Sequence, residues 1–109
     1  MSNFSGNTSS IAAISVRKMT ASGSILSTDD VITVNGGLTA SLPNPTTTIV
    51  GKIIYVGRHV GTGGVVTINV TGGSLLENTT NTFAVSITTT TSKYAWVNNG
   101  TNWLMIVRT

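Results

Sequence analysis

The stretch Val31-Ile32-Thr33-Val34-Asn35-Gly36-Gly37-Leu38-Thr39-Ala40-Ser41-Leu42 decides the fold class. Its first four residues are all β-branched, which restricts χ1 and suits a pleated surface better than a helix. Asn35-Gly36-Gly37 follows with residues that tolerate positive φ, so the segment predicts a tight hairpin. Beyond the glycines, Leu38, Ala40 and Leu42 fall on one side and Thr39 and Ser41 on the other, the period of a half-buried strand. Pro43-Asn44-Pro45 ends that strand, because proline has no N–H to give to a ladder.

The same grammar repeats in both directions. Upstream, Asp29-Asp30 predicts a turn in which the carboxylates accept from nearby backbone N–H groups. A short strand is expected at Ser24–Ser27. Ile11–Met19 alternates imperfectly, with Ile14, Val16 and Lys18 on one side, and Ser22-Gly23 breaks it. Residues 1–10 are Ser, Asn, Gly and Thr around a single aromatic, Phe4, and read as an arm. Downstream, Lys52–Gly57 is almost wholly apolar and predicts a central strand buried on both faces. Arg58–Gly64 is a glycine-rich loop. Val66, Ile68 and Val70 alternate inward in the next strand, and Phe83, Val85 and Ile87 do so in a later one that runs towards Thr88–Thr91. Tyr94, Trp96 and Asn98 share a face, Asn98-Asn99-Gly100 turns, and Trp103–Val107 closes the chain. Nine or ten short strands separated by turn signals predict an antiparallel β-sandwich or barrel, jelly-roll-like in its connections. The expected division is an N-terminal arm with the first strand over 1–22 and a β-sandwich domain over 23–109.

Composition supports this and narrows the chemistry. Thr, Ser, Asn and Gly make up 54 of the 109 residues, and Val, Ile and Thr make up 42. No segment of ten residues has a helical apolar period. Only nine side chains carry formal charge, six basic and three acidic, and there is one His and no Cys. Disulfides, thiol catalysis and Cys-type zinc sites are excluded. The net charge is +3, but Arg17, Lys18, Lys52, Arg58, Lys93 and Arg108 form no cluster in the sequence beyond the Arg17-Lys18 pair, so nucleic-acid binding is not expected. No apolar run is long enough to span a bilayer. The first ten residues lack the basic start and apolar stretch of a signal peptide, so the N-x-Ser/Thr triplets at Asn3, Asn7, Asn69, Asn78 and Asn99 are read as unmodified.

Each chemically suggestive feature has a plainer reading. Asp29, Asp30 and Glu77 are the only acids; two of them are adjacent and better placed to cap a turn than to flank a substrate. Gly61-Thr62-Gly63-Gly64 departs from both the dinucleotide fingerprint and the phosphate loop, and reads as a turn. His59 is single; three copies around a threefold axis would be needed to hold a metal. No Gly-x-Ser-x-Gly elbow accompanies it. Trp96 and Trp103 lie near each other across the last hairpin and read as packing residues, or else as a sugar-stacking platform.

Several elements taken in order are similar to a family. They are Thr28-Asp29-Asp30, Leu42-Pro43, Gly51-Lys52-Ile53-Ile54, Val66-Thr67-Ile68 before Gly72-Gly73, and Gly100-Thr101-Asn102-Trp103 before an apolar strand. Over residues 24–109 the chain resembles the small trimeric β-modules of tailed-phage virion proteins: capsid decoration or cement proteins, head fibres and tail-fibre segments. The resemblance implies a non-enzymatic homotrimer, without cofactor or metal, made in the host cytoplasm and placed on the outer surface of the virion. Absence of a long shaft favours a cement protein that binds and stabilises the head, with the major capsid protein as partner and neither nucleic acid nor membrane involved. Phe4, Ile11, Ile14, Arg17 and Lys18 are the expected capsid-binding arm residues. Tyr55, Phe83, Tyr94, Trp96 and Trp103 are expected to pack the core or the trimer. The alternatives are a head- or tail-fibre tip that binds a receptor, and a carbohydrate-binding module.

Overall fold

The computed structural model describes residues 14–60, 63–70, 76–77, 84–88 and 92–108. Among the described residues ten strands run in order: β1 (Val16–Met19), β2 (Gly23–Ser24), β3 (Val31–Val34), β4 (Thr39–Leu42), β5 (Ile53–Arg58), β6 (Val66–Val70), β7 (Leu76–Glu77), β8 (Ala84–Ile87), β9 (Lys93–Asn98) and β10 (Trp103–Arg108). A single 3-10 turn, Pro45–Thr47, lies between β4 and β5; Asn44 caps it by accepting from Thr46 N–H.

Two sheets face each other. The larger has the order β1-β3-β5-β9-β10-β7 and the smaller β2-β4-β6-β8. Alternation assigns the inner face. Ile32 and Val34 of β3, Ile54 and Val56 of β5, and Trp96 of β9 meet Ala40 and Leu42 of β4, Val66 and Ile68 of β6 and Ile87 of β8 in one core. Met19, Ile25, Val70, Tyr94, Trp103 and Met105 complete it, and Leu38 packs against its margin. The all-β sandwich is thus present.

Its connections differ from the antiparallel, jelly-roll-like expectation. β1, β3 and β5 are parallel neighbours in the larger sheet, and β2, β4 and β6 are parallel neighbours in the smaller. The chain therefore winds from one sheet to the other and back, stacking three two-strand coils. Antiparallel pairing enters only afterwards, at β6–β8, β5–β9 and β9–β10. β7 adds in parallel beyond β10. Both sheets stay open, with β1 and β7 at the edges of one and β2 and β8 at those of the other, so no barrel closes.

Asn35-Gly36-Gly37 is accordingly a corner between sheets and not a hairpin. Gly37 takes φ +87°, and its N–H donates to Val65 O in the corner of the next coil. A Cβ on Gly36 would overlap the Gly63 carbonyl. These glycines let two backbone corners stack where no side chain fits. The turn chemistry is the same for a hairpin and a corner; what differs is which sheet receives the next strand, and long-range core packing settles that.

The expectation that Lys52–Gly57 is buried on both faces is also corrected. β5 is central in its sheet, but only its inner side chains are covered: Ile53 and Tyr55 remain 37% and 47% exposed. Of the stretch Ile11–Met19, residues 11–13 lie outside the described residues, Ile14 and Ser15 are not in a strand, and Val16–Met19 pairs fully with β3. The second strand is reduced to Gly23–Ser24. Phe83 and Thr89–Thr91 lie outside the described residues.

Candidate functional site

The outer face of the six-stranded sheet is the most distinctive surface of the molecule. Register places Val16, Val31, Tyr55, Ala95 and Val107 in one row across five strands. On one side of this row runs Lys18, Thr33, Gly57 and Lys93; on the other, Ile53, Val97 and Leu104. The face thus has two unlike ends.

The first end lies where β3 and β5 begin. A hollow of about 450 Å³ is lined there by Ile14, Val31, Ile53 and Tyr55 together with Asp30, Gly51 and Lys52. Ile14 is 69% exposed and Val16 72%. Ile49 and Val50, in the turn that leads into β5, and Leu26, in the β2–β3 connection, are exposed at the same end. This gathers six large aliphatic side chains in solvent at one end, the pattern of a surface that meets a partner.

Charge at this end is neutralised in pairs. Arg17 Nη2 and Asp29 Oδ2 are 2.6 Å apart, Arg17 Nε donates to Asp29 Oδ1, and Leu26 N–H donates to Asp29 Oδ2. Lys52 Nζ donates to Asp30 Oδ1 at 2.6 Å, and Ser15 N–H to Asp30 Oδ2. Burial by itself would push the Asp29 carboxyl up. The Arg17 hydrogen bond, the Leu26 N–H and the charges of Arg17 and Lys52 outweigh it and hold the group below the ordinary carboxylate range. Asp30 is lowered by the Lys52 hydrogen bond and then by the Ser15 N–H. Asp29 raises the Arg17 guanidinium further, chiefly through their hydrogen bond. The two aspartates therefore fasten β1 and β5 to the β2–β3 connection, which is turn capping as the sequence suggests, reinforced by cations the sequence did not point to.

The second end lies where β3 and β5 finish and β9 starts. A hollow of about 360 Å³ is lined there by Val31, Thr33, Tyr55, Gly57, Arg58, His59, Val60 and Lys93, among others. His59 Nδ1 stands 3.4 Å from Thr33 Oγ1. Arg58 Nη1 donates to Gly64 O and Thr88 O, which pins the guanidinium at this end of the sandwich. Lys18 and Lys93 occupy the same row, and Arg108 ends β10 beside Tyr94. Five basic residues from four separate stretches are thus brought to one sheet end, with Arg58 and Arg108 in register with inward-facing Val34 and Tyr94. The acids are elsewhere: Asp29 and Asp30 precede β3, and Glu77 pairs in register with Leu104 near the start of β10. The sequence reading found no basic cluster because the topology, and not the chain order, makes it.

The residues singled out from the sequence are distributed as follows. Ile14 and Lys18 are exposed on or beside the outer face, and Arg17 is held by Asp29. Phe4 and Ile11 lie outside the described residues. Tyr55 projects from the outer face, whereas Tyr94, Trp96 and Trp103 are core residues, and the Tyr94 and Trp96 rings stack with centroids 5.9 Å apart. Both indoles are fully buried, so neither offers a face to a sugar.

The Leu-Pro and Gly-Thr-Asn-Trp elements of the resemblance touch each other. Trp103 Nε1 donates to Pro43 O at 2.7 Å. Asn98 Nδ2, buried, reaches the carbonyls of Pro45, Thr48 and Ile49, and Asn98 Oδ1 accepts from Gly100 N–H. Gly100 holds φ +97° in this turn. Together they clamp the β4–β5 connection, which carries Ile49 and Val50 to the apolar end. Among the described residues no cluster of His, Cys, Asp and Glu could hold a metal ion. No helix there is long and apolar enough to cross a membrane.

Compared with known proteins, the chain matches no family model and no curated protein is similar to it.

Proposed function

We propose that this chain is a non-enzymatic structural module that assembles with copies of itself, as a homotrimer, and decorates the outer surface of a phage head. The observation that carries the reading is the apolar end of the larger sheet, where Ile14, Val16, Leu26, Ile49, Val50 and Ile53 stand in solvent beside two ion pairs that neutralise Asp29 and Asp30. A second copy is the occupant this end suits. Aliphatic surface is self-complementary, so three such ends can meet around one axis, and pairing of Asp29 and Asp30 with cations of their own chain limits the bare charge that contact would desolvate. The threefold number and the virion setting come from the family resemblance.

In this reading the sandwich supplies a rigid body, and the assembled copies engage several capsid subunits at once. Binding at several points raises the effective affinity without new contacts in any one of them. The arm, with Phe4 and Ile11 ahead of Ile14, Arg17 and Lys18, extends onto the major capsid protein.

Light scattering behind a sizing column tests the assembly. The expected mass is three times the 11.3 kDa of the chain; a monomer at tens of micromolar would overturn it. On heads that carry the protein, removal of residues 1–10 is expected to release it, and full retention would remove the arm from the proposal.

A further inference from the structure

The basic end of the outer face invites a different ligand. We propose that it binds an acidic polysaccharide, taking one carboxylate-bearing sugar unit into the hollow over Gly57. This site lies towards the other end of the face from the self-association surface; the two hollows share Val31 and Tyr55, but Gly57 and Lys93 line only this one.

Gly57 makes the hollow. In the row Lys18–Thr33–Gly57–Lys93 it is the one position without a side chain, so the surface dips between Thr33 and Lys93. Tyr55, nearly half exposed, and Val31 form an apolar wall, while Thr33, His59 and Lys93 supply polar and cationic groups. A mostly apolar depression with a few convergent polar groups is the usual form of a small-ligand site. Among the described residues no acid lines this hollow, so a bound anion meets no repulsion from them. Neighbouring strands are about 4.8 Å apart, so Lys18 and Lys93 stand roughly 14 Å apart across three spacings. A single small anion cannot meet both, whereas a chain with one carboxylate per unit can.

Other polyanions suit the surface less well. Single-stranded nucleic acid is held by successive bases stacking on several aromatic rings, and Tyr55 is the one exposed ring among the described residues of this face. An extended acidic peptide gains much of its affinity by main-chain pairing at a free sheet edge. The strands under the hollow, β3, β5 and β9, are each paired on both sides. A sugar chain needs neither a row of rings nor a strand edge: its C–H face packs on Tyr55, its hydroxyls reach Thr33 and His59, and its carboxylate faces Lys93.

Calorimetric titration of the full chain with an oligogalacturonate tests the inference, beside neutral maltohexaose, polyglutamate and oligo-dT. The expected result is binding of the uronate that weakens with added salt, and none of maltohexaose. Gly57→Val is the decisive variant. A Cβ at Gly57 meets only Ser92 O, at 3.8 Å, and the backbone there needs no positive φ, so the strand accepts the change. Filling the hollow is expected to weaken uronate binding by more than about tenfold with unfolding unchanged, a loss of over 1.4 kcal/mol. Lys93→Glu, at an exposed position, is expected to weaken it by about five- to tenfold. Absence of uronate binding at low salt would overturn the proposal. So would binding of polyglutamate or oligo-dT as tight as that of the uronate, or uronate binding that Gly57→Val leaves intact.

Discussion

Asn98 illustrates how a single polar side chain organises an end of this molecule. It is buried, and its amide serves three carbonyls and one N–H of two different connections. Asn98→Ala leaves those groups without their partner, and a loss of about 2–4 kcal/mol is expected in urea unfolding. Trp103→Phe keeps most of the ring volume but removes the donor to Pro43 O; about 1–2 kcal/mol is the expected cost. Asp29 gives the protein its acid limb. Its carboxyl is held below the ordinary range in the folded state, so its stabilising contribution is complete above the unfolded value. That contribution disappears as pH falls through the folded one. Stability measured by chemical denaturation should therefore drop as pH is lowered beneath the ordinary carboxylate range. Asp29→Asn should be less stable at neutral pH and show a flatter acid limb; a wild-type curve that is flat between pH 5 and 2 would contradict the assignment.

At the scale of elements, the stacked coils depend on glycine corners. Gly36 packs against Gly63, and Gly64 at φ +91° lies against Gly37. Gly36→Ala is expected to destabilise by about 1–3 kcal/mol through forced displacement of the neighbouring corner, whereas Gly57→Ala, in open strand, should change thermal stability little. Equal effects of the two would argue against corner stacking. This is also where the sequence stops being legible. Alternation correctly marks the inner faces of β4 at Ala40 and Leu42, of β6 at Val66, Ile68 and Val70, and of β9 at Tyr94, Trp96 and Asn98. Pairing is another matter. Val16 pairs with Val31 after fifteen residues, and Val31 with Tyr55 after twenty-four. Coils of such unequal length leave no repeat to detect. The apolar run Lys52–Gly57 gives no sign that one of its faces stays open, because burial there depends on what lies over the sheet and not on the strand itself.

For the whole molecule, the winding sorts both apolar surface and charge. Ile14, Leu26, Ile49 and Ile53 come together at one end of the larger sheet, and Lys18, Arg58, His59, Lys93 and Arg108 at the other, with Lys18 and Lys93 on its outer face. In the sequence these residues are scattered, so no local pattern marked either end. A face polarised in this way lets one end serve copies of the chain while the other stays open. The central claim is the self-association, and mass in solution for the wild type beside Ile53→Asp tests it most directly. Ile53 is on the outer face, away from the core, so circular dichroism should show the variant folded. Three times 11.3 kDa for the wild type and a single 11.3 kDa chain for the variant is the expected result; a monomeric wild type, or a folded variant that still assembles as three, would contradict it.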